Sequence, residues 1–83
     1  MKTFTHTVTD EVGIHARPAG MLVNKVKSLG VTVTITKGER KADASKLFSI
    51  MALSVKHGDT ITVTVDGSPE AESEIEAFFK DNL

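Results

Sequence analysis

The chain has 83 residues, 40% of them hydrophobic and 25% charged, with a formal net charge of −1 and no cysteine. That length supports one hydrophobic core and no second module, so residues 1–83 are expected to form a single domain. The near-neutral balance argues against nucleic acid as a partner, because there is no basic excess to displace counterions. Without cysteine no disulfide scaffold is possible; no apolar run approaches the ~20 residues of a membrane span, and no signal-peptide core is visible. Membrane insertion is therefore not expected, and a cytoplasmic location is.

Residues 3–8 alternate apolar and polar and predict a strand with Phe4, His6 and Val8 on one face. Asp10 and Glu11 then either orient a partner or solvate a loop, and the loop is the favoured reading. The hexapeptide that follows, Gly13-Ile14-His15-Ala16-Arg17-Pro18, is the most informative segment of the chain. Proline is favoured in the first turn of a helix, where its missing N–H is not needed. Ala19, Leu22, Val23 and Val26 supply the i, i+3, i+4, i+7 stripe of an amphipathic helix. The helix is expected to run from about residue 16 to Gly30, a suitable C-terminal stop, which puts His15 at or near the N-cap. The free N–H groups of Ala16 and Arg17 and the positive end of the helix dipole suit a phosphate beside that imidazole. Arg17 adds a full charge and a donor fork matched to phosphate oxygens, and Gly13 permits the turn from strand into helix. The opposite helix face carries Ala16, Gly20, Asn24 and Lys27, a low-relief surface beside the histidine. A glycine inside a helix costs about 1 kcal/mol relative to alanine, so Gly20 calls for a reason beyond folding, and access for a partner is one.

Residues 31–36 alternate with Val31, Val33 and Ile35 inward, residues 37–40 form a turn, and a short strand is expected at about 40–43. Residues 45–55 have helical character, with Leu47, Ile50 and Leu53 or Ser54 turned to the core. Residues 56–59 read as a turn and 60–65 as a further clean strand. Ser68-Pro69-Glu70 has the form of a helix start, with Ser68 as N-cap and Pro69 first in the helix. Glu70, Glu72 and Glu74 favour its positive end, and Ile75, Phe78 and Phe79 would bury its inner face.

The order is strand, helix, strand, strand, helix, strand, helix, and each long strand has one apolar and one threonine-rich face. Such a sheet is covered on one side only. The expected fold is α+β: an open-faced two-layer sandwich, its four-stranded, mainly antiparallel sheet covered on one face by three helices.

Residues 13–19, this element order and this length together resemble the HPr family, the histidine-containing phosphocarriers of the bacterial sugar phosphotransferase system. Ala42-x-Ala44, Leu47-Phe48, Leu53 and Gly58 stay in register with the resemblance, which spans essentially the whole chain. It implies that His15 accepts a phosphoryl group on Nδ1 from enzyme I and that Arg17 helps to stabilise it. The group would then pass to the IIA component of a sugar permease. Partner docking falls, by the same resemblance, on Ala16, Arg17, Gly20, Asn24, Lys27, Leu47, Phe48 and Met51. Two departures stand out. Many Gram-positive relatives carry a regulatory serine, target of an ATP-dependent kinase, where this chain has Lys46; Ser45 and Ser49 are its neighbouring serines and the candidate regulatory sites. Some relatives also place a polar side chain where this chain has Val12.

His6 reads as a core residue and His57 as a solvated turn residue. Three histidines without cysteine or paired carboxylates at ligand spacing do not make a metal site, no Walker-type glycine loop is present, and no cofactor is expected. The implied role is that of a monomeric phosphotransfer component with transient partners, not a stand-alone catalyst. The rival function is a regulatory binding module of the same fold, docking a transcription factor or enzyme under control of a serine kinase.

Overall fold

The computed structural model describes all 83 residues. Seven elements follow one another: β1 (Lys2–Thr7), α1 (Ala16–Leu29), β2 (Thr32–Lys37), β3 (Arg40–Asp43), α2 (Leu47–Ala52), β4 (Thr60–Asp66) and α3 (Pro69–Asn82). The strands form one sheet in the order β1-β4-β2-β3, and every neighbouring pair is antiparallel.

Register explains the two faces. Phe4 lies opposite Val63, which lies opposite Ile35, and these residues point towards the helices. One residue along, Thr5, Thr62 and Thr36 make a row on the open face. Because side chains alternate with a period of two, each strand's apolar set reaches one layer and its threonines reach water. Facing hydroxyls on that open side come within reach of one another, as in Thr7 and Thr60 at 3.0 Å.

Helix α1 buries Pro18, Ala19, Leu22 and Val26, the stripe legible in the sequence apart from Val23, which is half-buried. Complete burial of Leu22 contributes about 1.5–3 kcal/mol relative to leaving it exposed. The helix ends as expected at Gly30, whose left-handed φ of 66° returns its N–H to the Val26 and Lys27 carbonyls. Helix α3 begins at Ser68, whose hydroxyl accepts the Ala71 N–H at 3.2 Å; such a cap is worth about 1 kcal/mol. Ile75 and Phe79 are fully buried, and Phe78 packs partly against them. Phe4 and His6 of β1 both meet the Phe79 ring edge-on, at centroid separations of 5.8 and 5.7 Å.

The middle helix departs from expectation. α2 covers only Leu47–Ala52, not the whole of 45–55. Its beginning is held back by Asp43, whose carboxylate accepts both the N–H and the hydroxyl of Ser45, at 2.9 and 2.7 Å. These hydrogen bonds also hold the Asp43 carboxyl below the usual carboxylate range, the Ser45 N–H being the larger cause. Its end is set by Ser54, which takes a positive φ of 54° and is exposed. Leu53, not Ser54, therefore fills the core, followed by Val55.

Candidate functional site

The site grows from the loop joining β1 to α1, and two other segments fix that loop. Val8 is buried and exchanges backbone hydrogen bonds with the 58–59 turn, through its N–H to Asp59 and its carbonyl to Gly58, each at 2.9 Å. Thr9 and Asp10 donate their N–H groups to the backbone oxygen of Leu83, at 2.6 and 3.2 Å. Ile14 donates to the Val55 carbonyl at 3.1 Å. Gly13 makes this approach possible: its φ is +82°, and a Cβ there would stand 2.4 Å from the Val55 oxygen. Its role is thus wider than the turn expected from sequence, because it lets one loop lie against another.

The 54–59 segment is itself held from the sheet. The Lys37 ammonium donates to the Ser54 carbonyl at 2.9 Å and meets the Asp59 carboxylate at 3.0 Å. Asp59 also accepts the Lys56 N–H at 2.9 Å. The Lys56 hydrogen bond foremost, with that from Lys37, holds the Asp59 carboxyl below the usual carboxylate range. No signal in the sequence linked residues 54–59 to the histidine, because the contact is made through backbone groups.

His15 is the N-cap residue of α1, in an extended conformation (φ −117°, ψ −177°). Its carbonyl accepts the Ala19 N–H at 3.0 Å, while its ring makes no capping hydrogen bond and is 39% exposed. The backbone N–H groups of Ala16 and Arg17 have no backbone acceptor. They are the orphan donors every helix start presents. Arg17 is exposed and takes part in none of the ion pairs of the chain. An imidazole free of capping hydrogen bonds, two free donors and an unpaired guanidinium therefore lie within three consecutive residues, an arrangement suited to holding a phosphoryl group at the surface.

Two residues near His15 that read from sequence as loop and turn residues have specific partners. Asp10 does not simply solvate a loop: its carboxylate accepts the Val12 N–H at 2.9 Å, and the same oxygen stands 4.0 Å from His15 Nε2. The signal was the Asp two residues before an N–H that needs an acceptor, an Asx-turn. His57 is exposed as expected, but its Nδ1 lies 3.3 Å from the Asp10 carbonyl. Val12 itself is 68% exposed, with its N–H already satisfied by Asp10.

The candidate docking residues fall on α1 and α2, which pack against each other. Ala16, Asn24 and Lys27 are exposed, and Gly20 is half-buried with open space where a Cβ would stand. Gly20→Ala is therefore expected to stabilise the chain by about 0.5–1 kcal/mol. Thermal unfolding would register this as a melting point about 4 °C higher, and a lower one would show that the glycine is needed for folding. On α2 Phe48 is 87% exposed and Met51 36%, with Leu47 half-buried beside them; Ile50 takes the inward place between them. Of the two candidate serines, Ser45 is engaged by Asp43 and Ser49 lies half-buried within α2. The position in register with the regulatory serine is the α2 N-cap, Lys46.

No group of three or more histidine, aspartate or glutamate side chains is placed to hold a metal ion. The one surface groove, between α1 and α3, is lined by Lys25, Glu74, Ala77, Phe78, Asp81 and Asn82 and includes no residue of the His15 loop. No helix is long and apolar enough to cross a membrane.

Comparison with known proteins agrees with this geometry. Residues 2–81 match the family model described as the PTS HPr component phosphorylation site. The phosphocarrier protein HPr of Mycoplasma capricolum is 34% identical over 77 residues, 93% of this chain and 85% of that protein. That of Lysinibacillus sphaericus is 36% identical over 73 residues, 88% of this chain and 83% of its own length. The solved structure of a Mycoplasma histidine-containing phosphocarrier protein superposes with a TM-score of 0.87 at 30% identity, covering 96% of this chain and 93% of that one.

Proposed function

The chain belongs to the HPr family of phosphocarriers of the phosphotransferase system, and from that premise we propose that His15 is its phosphoryl acceptor, loaded by enzyme I and unloaded to IIA components of sugar permeases. The observation that carries the assignment is the state of His15 at the start of α1: a ring free of capping duty, half open to solvent, beside two N–H groups with no acceptor. Phosphoryl transfer through a loose transition state asks for positioning and charge stabilisation more than for covalent help. The helix start and Arg17 supply both in part, and the partner's active site completes them. A shallow, exposed site suits a carrier, which must release the group as readily as it accepts it. Docking through Ala16, Gly20, Asn24, Lys27, Leu47, Phe48 and Met51 would bring each partner over His15, and a carrier that serves several partners in turn suits small, transient contacts.

The test is incubation with phosphoenolpyruvate, Mg²⁺ and enzyme I, read by intact mass. One added phosphoryl group, lost in acid, is the expected result. Absence of any addition with the fold intact would overturn the carrier assignment, and an acid-stable group formed only with ATP and a kinase would move the modification to Ser45 or Ser49. Arg17→Ala is expected to slow transfer about 10- to 100-fold, the worth of one charge-assisted hydrogen bond, with the unfolding midpoint unchanged. A transfer rate equal to that of the unaltered chain would remove Arg17 from the mechanism.

A further inference from the structure

We propose that Asp10 is a positioning residue for His15: its carboxylate holds the ring proton on Nε2 and so leaves the Nδ1 lone pair free to take the phosphoryl group. The inference rests on the carrier reading above for its consequence, but its first step is a property of the unmodified protein. Asp10 Oδ1 stands 4.0 Å from His15 Nε2, beyond hydrogen-bond length, so the carboxylate acts on the ring through its charge, with 31% and 39% of the two side chains open to solvent. Asp10 is not a free-swinging charge, since the same oxygen accepts the Val12 N–H at 2.9 Å, and its own N–H and carbonyl are engaged by Leu83 and Gly13. The carboxylate is therefore presented to the Nε2 edge of the ring, by a loop fastened at both ends. In a neutral imidazole the electrostatic surroundings of the two nitrogens bias which of them carries the proton. An anion facing Nε2 favours Nε2–H, and the two nitrogens of one ring point in divergent directions, so Nδ1 is aimed away from that charge.

The electron and proton balance then runs in both directions. In loading, the Nδ1 lone pair forms a bond to phosphorus as the bond from phosphorus to the donor protein breaks, and that bond's electron pair stays with the donor. The Nε2 proton remains in place, so the ring becomes cationic as the N–P bond forms, and the Asp10 carboxylate compensates the charge that develops. In unloading, the N–P electron pair returns to Nδ1, and a ring that still carries Nε2–H leaves as neutral imidazole. The carboxylate serves both steps without itself gaining or losing a proton. It also stands nearer to Nε2 than the transferred group does, so its attraction to the cationic ring acts at shorter range than its repulsion of the phosphate.

Asp10→Asn separates this role from a structural one, because asparagine keeps a side-chain oxygen for the Val12 N–H and removes only the charge. The readout is long-range ¹H–¹⁵N NMR of the imidazoles of the full chain at about pH 8.5, where an ordinary histidine is neutral. His15 is assigned by its absence in His15→Ala. The expected result is a ratio of Nε2–H to Nδ1–H in His15 about two- to fivefold lower in Asp10→Asn, the range of an exposed ion pair. The His6 ratio should stay fixed, and loading by enzyme I should slow by a similar factor. An unchanged His15 ratio overturns the proposal, and so does an equal loading rate in the two proteins. If the unaltered chain takes no phosphoryl group at all, it is the carrier reading that fails, and the NMR ratio still decides whether Asp10 orients the ring.

Discussion

His15→Ala is expected to abolish phosphoryl acceptance completely while leaving the fold intact. The two halves of that result come from different observations. Acceptance is lost because no other nucleophile shares the helix start: His6 lies on β1 with its ring against Phe79, and His57 sits on the 56–59 turn with Nδ1 near the Asp10 carbonyl. The fold survives because the His15 ring makes no capping hydrogen bond and is 39% exposed. The backbone hydrogen bond that starts the helix, from Ala19 N–H to the residue 15 carbonyl, does not depend on the side chain. Stability should stay within about 0.5 kcal/mol of the unaltered chain, as for surface substitutions generally. Intact mass after incubation with phosphoenolpyruvate and enzyme I, beside a thermal melt, measures both halves. Persistence of an acid-labile phosphoryl group in the variant would transfer the acceptor role to His6 or His57.

The largest effect on stability is expected from Gly13→Ala. Two penalties coincide there. A Cβ at a φ of +82° meets its own backbone, and the same atom would lie 2.4 Å from the Val55 oxygen and 2.6 Å from the Lys56 Cα. Neither neighbour is a flexible side chain, so the 54–59 segment has to move. That movement strains the Ile14 N–H to Val55 hydrogen bond and the Lys37 contacts that hold the segment. Backbone strain of about 1–2 kcal/mol and overpacking of about 1–3 kcal/mol together give a loss of about 2–5 kcal/mol. For a chain of this size that lowers the melting temperature by about 10 °C or more. Gly58→Ala is the matched control: φ is +86° there, but a Cβ would meet nothing within 4 Å. It carries the strain without the collision, about 1–2 kcal/mol. Equal losses in the two variants would show that the contact between the loops contributes nothing. Phosphoryl transfer should fall in Gly13→Ala and not in Gly58→Ala, since only the former displaces the loop that presents His15.

The reach of sequence reasoning follows the range of the interactions concerned. The helix from Ala16 to Leu29 was legible because everything that defines it is local: Pro18 in its first turn, the stripe of Ala19, Leu22 and Val26, and Gly30 at its end. The strands and their two faces were legible because alternation is a property of neighbours, and the candidate acceptor because His15, Arg17 and Pro18 lie within four residues. Resemblance to the HPr family extended that reading to partners, which no local pattern could supply. The second helix was misjudged where a local device overrode periodicity. Asp43 captures Ser45 in front of it, and Ser54 turns left-handed behind it, so a helical pattern over 45–55 shortens to Leu47–Ala52.

By itself, then, the sequence determined the elements, their inner and outer faces and the residue at the start of the first long helix, since each depends on contacts a few residues apart. Only the tertiary structure decided the strand order β1-β4-β2-β3 and the seating of the 54–59 segment and Leu83 against the loop before His15. It alone placed the Asp10 carboxylate at Nε2. The first two depend on backbone hydrogen bonds and on one close approach at Gly13 between residues distant in the chain, and the third on the loop that those contacts fasten. Backbone groups are identical at every position, so nothing in the identity of the residues marks which of them will meet.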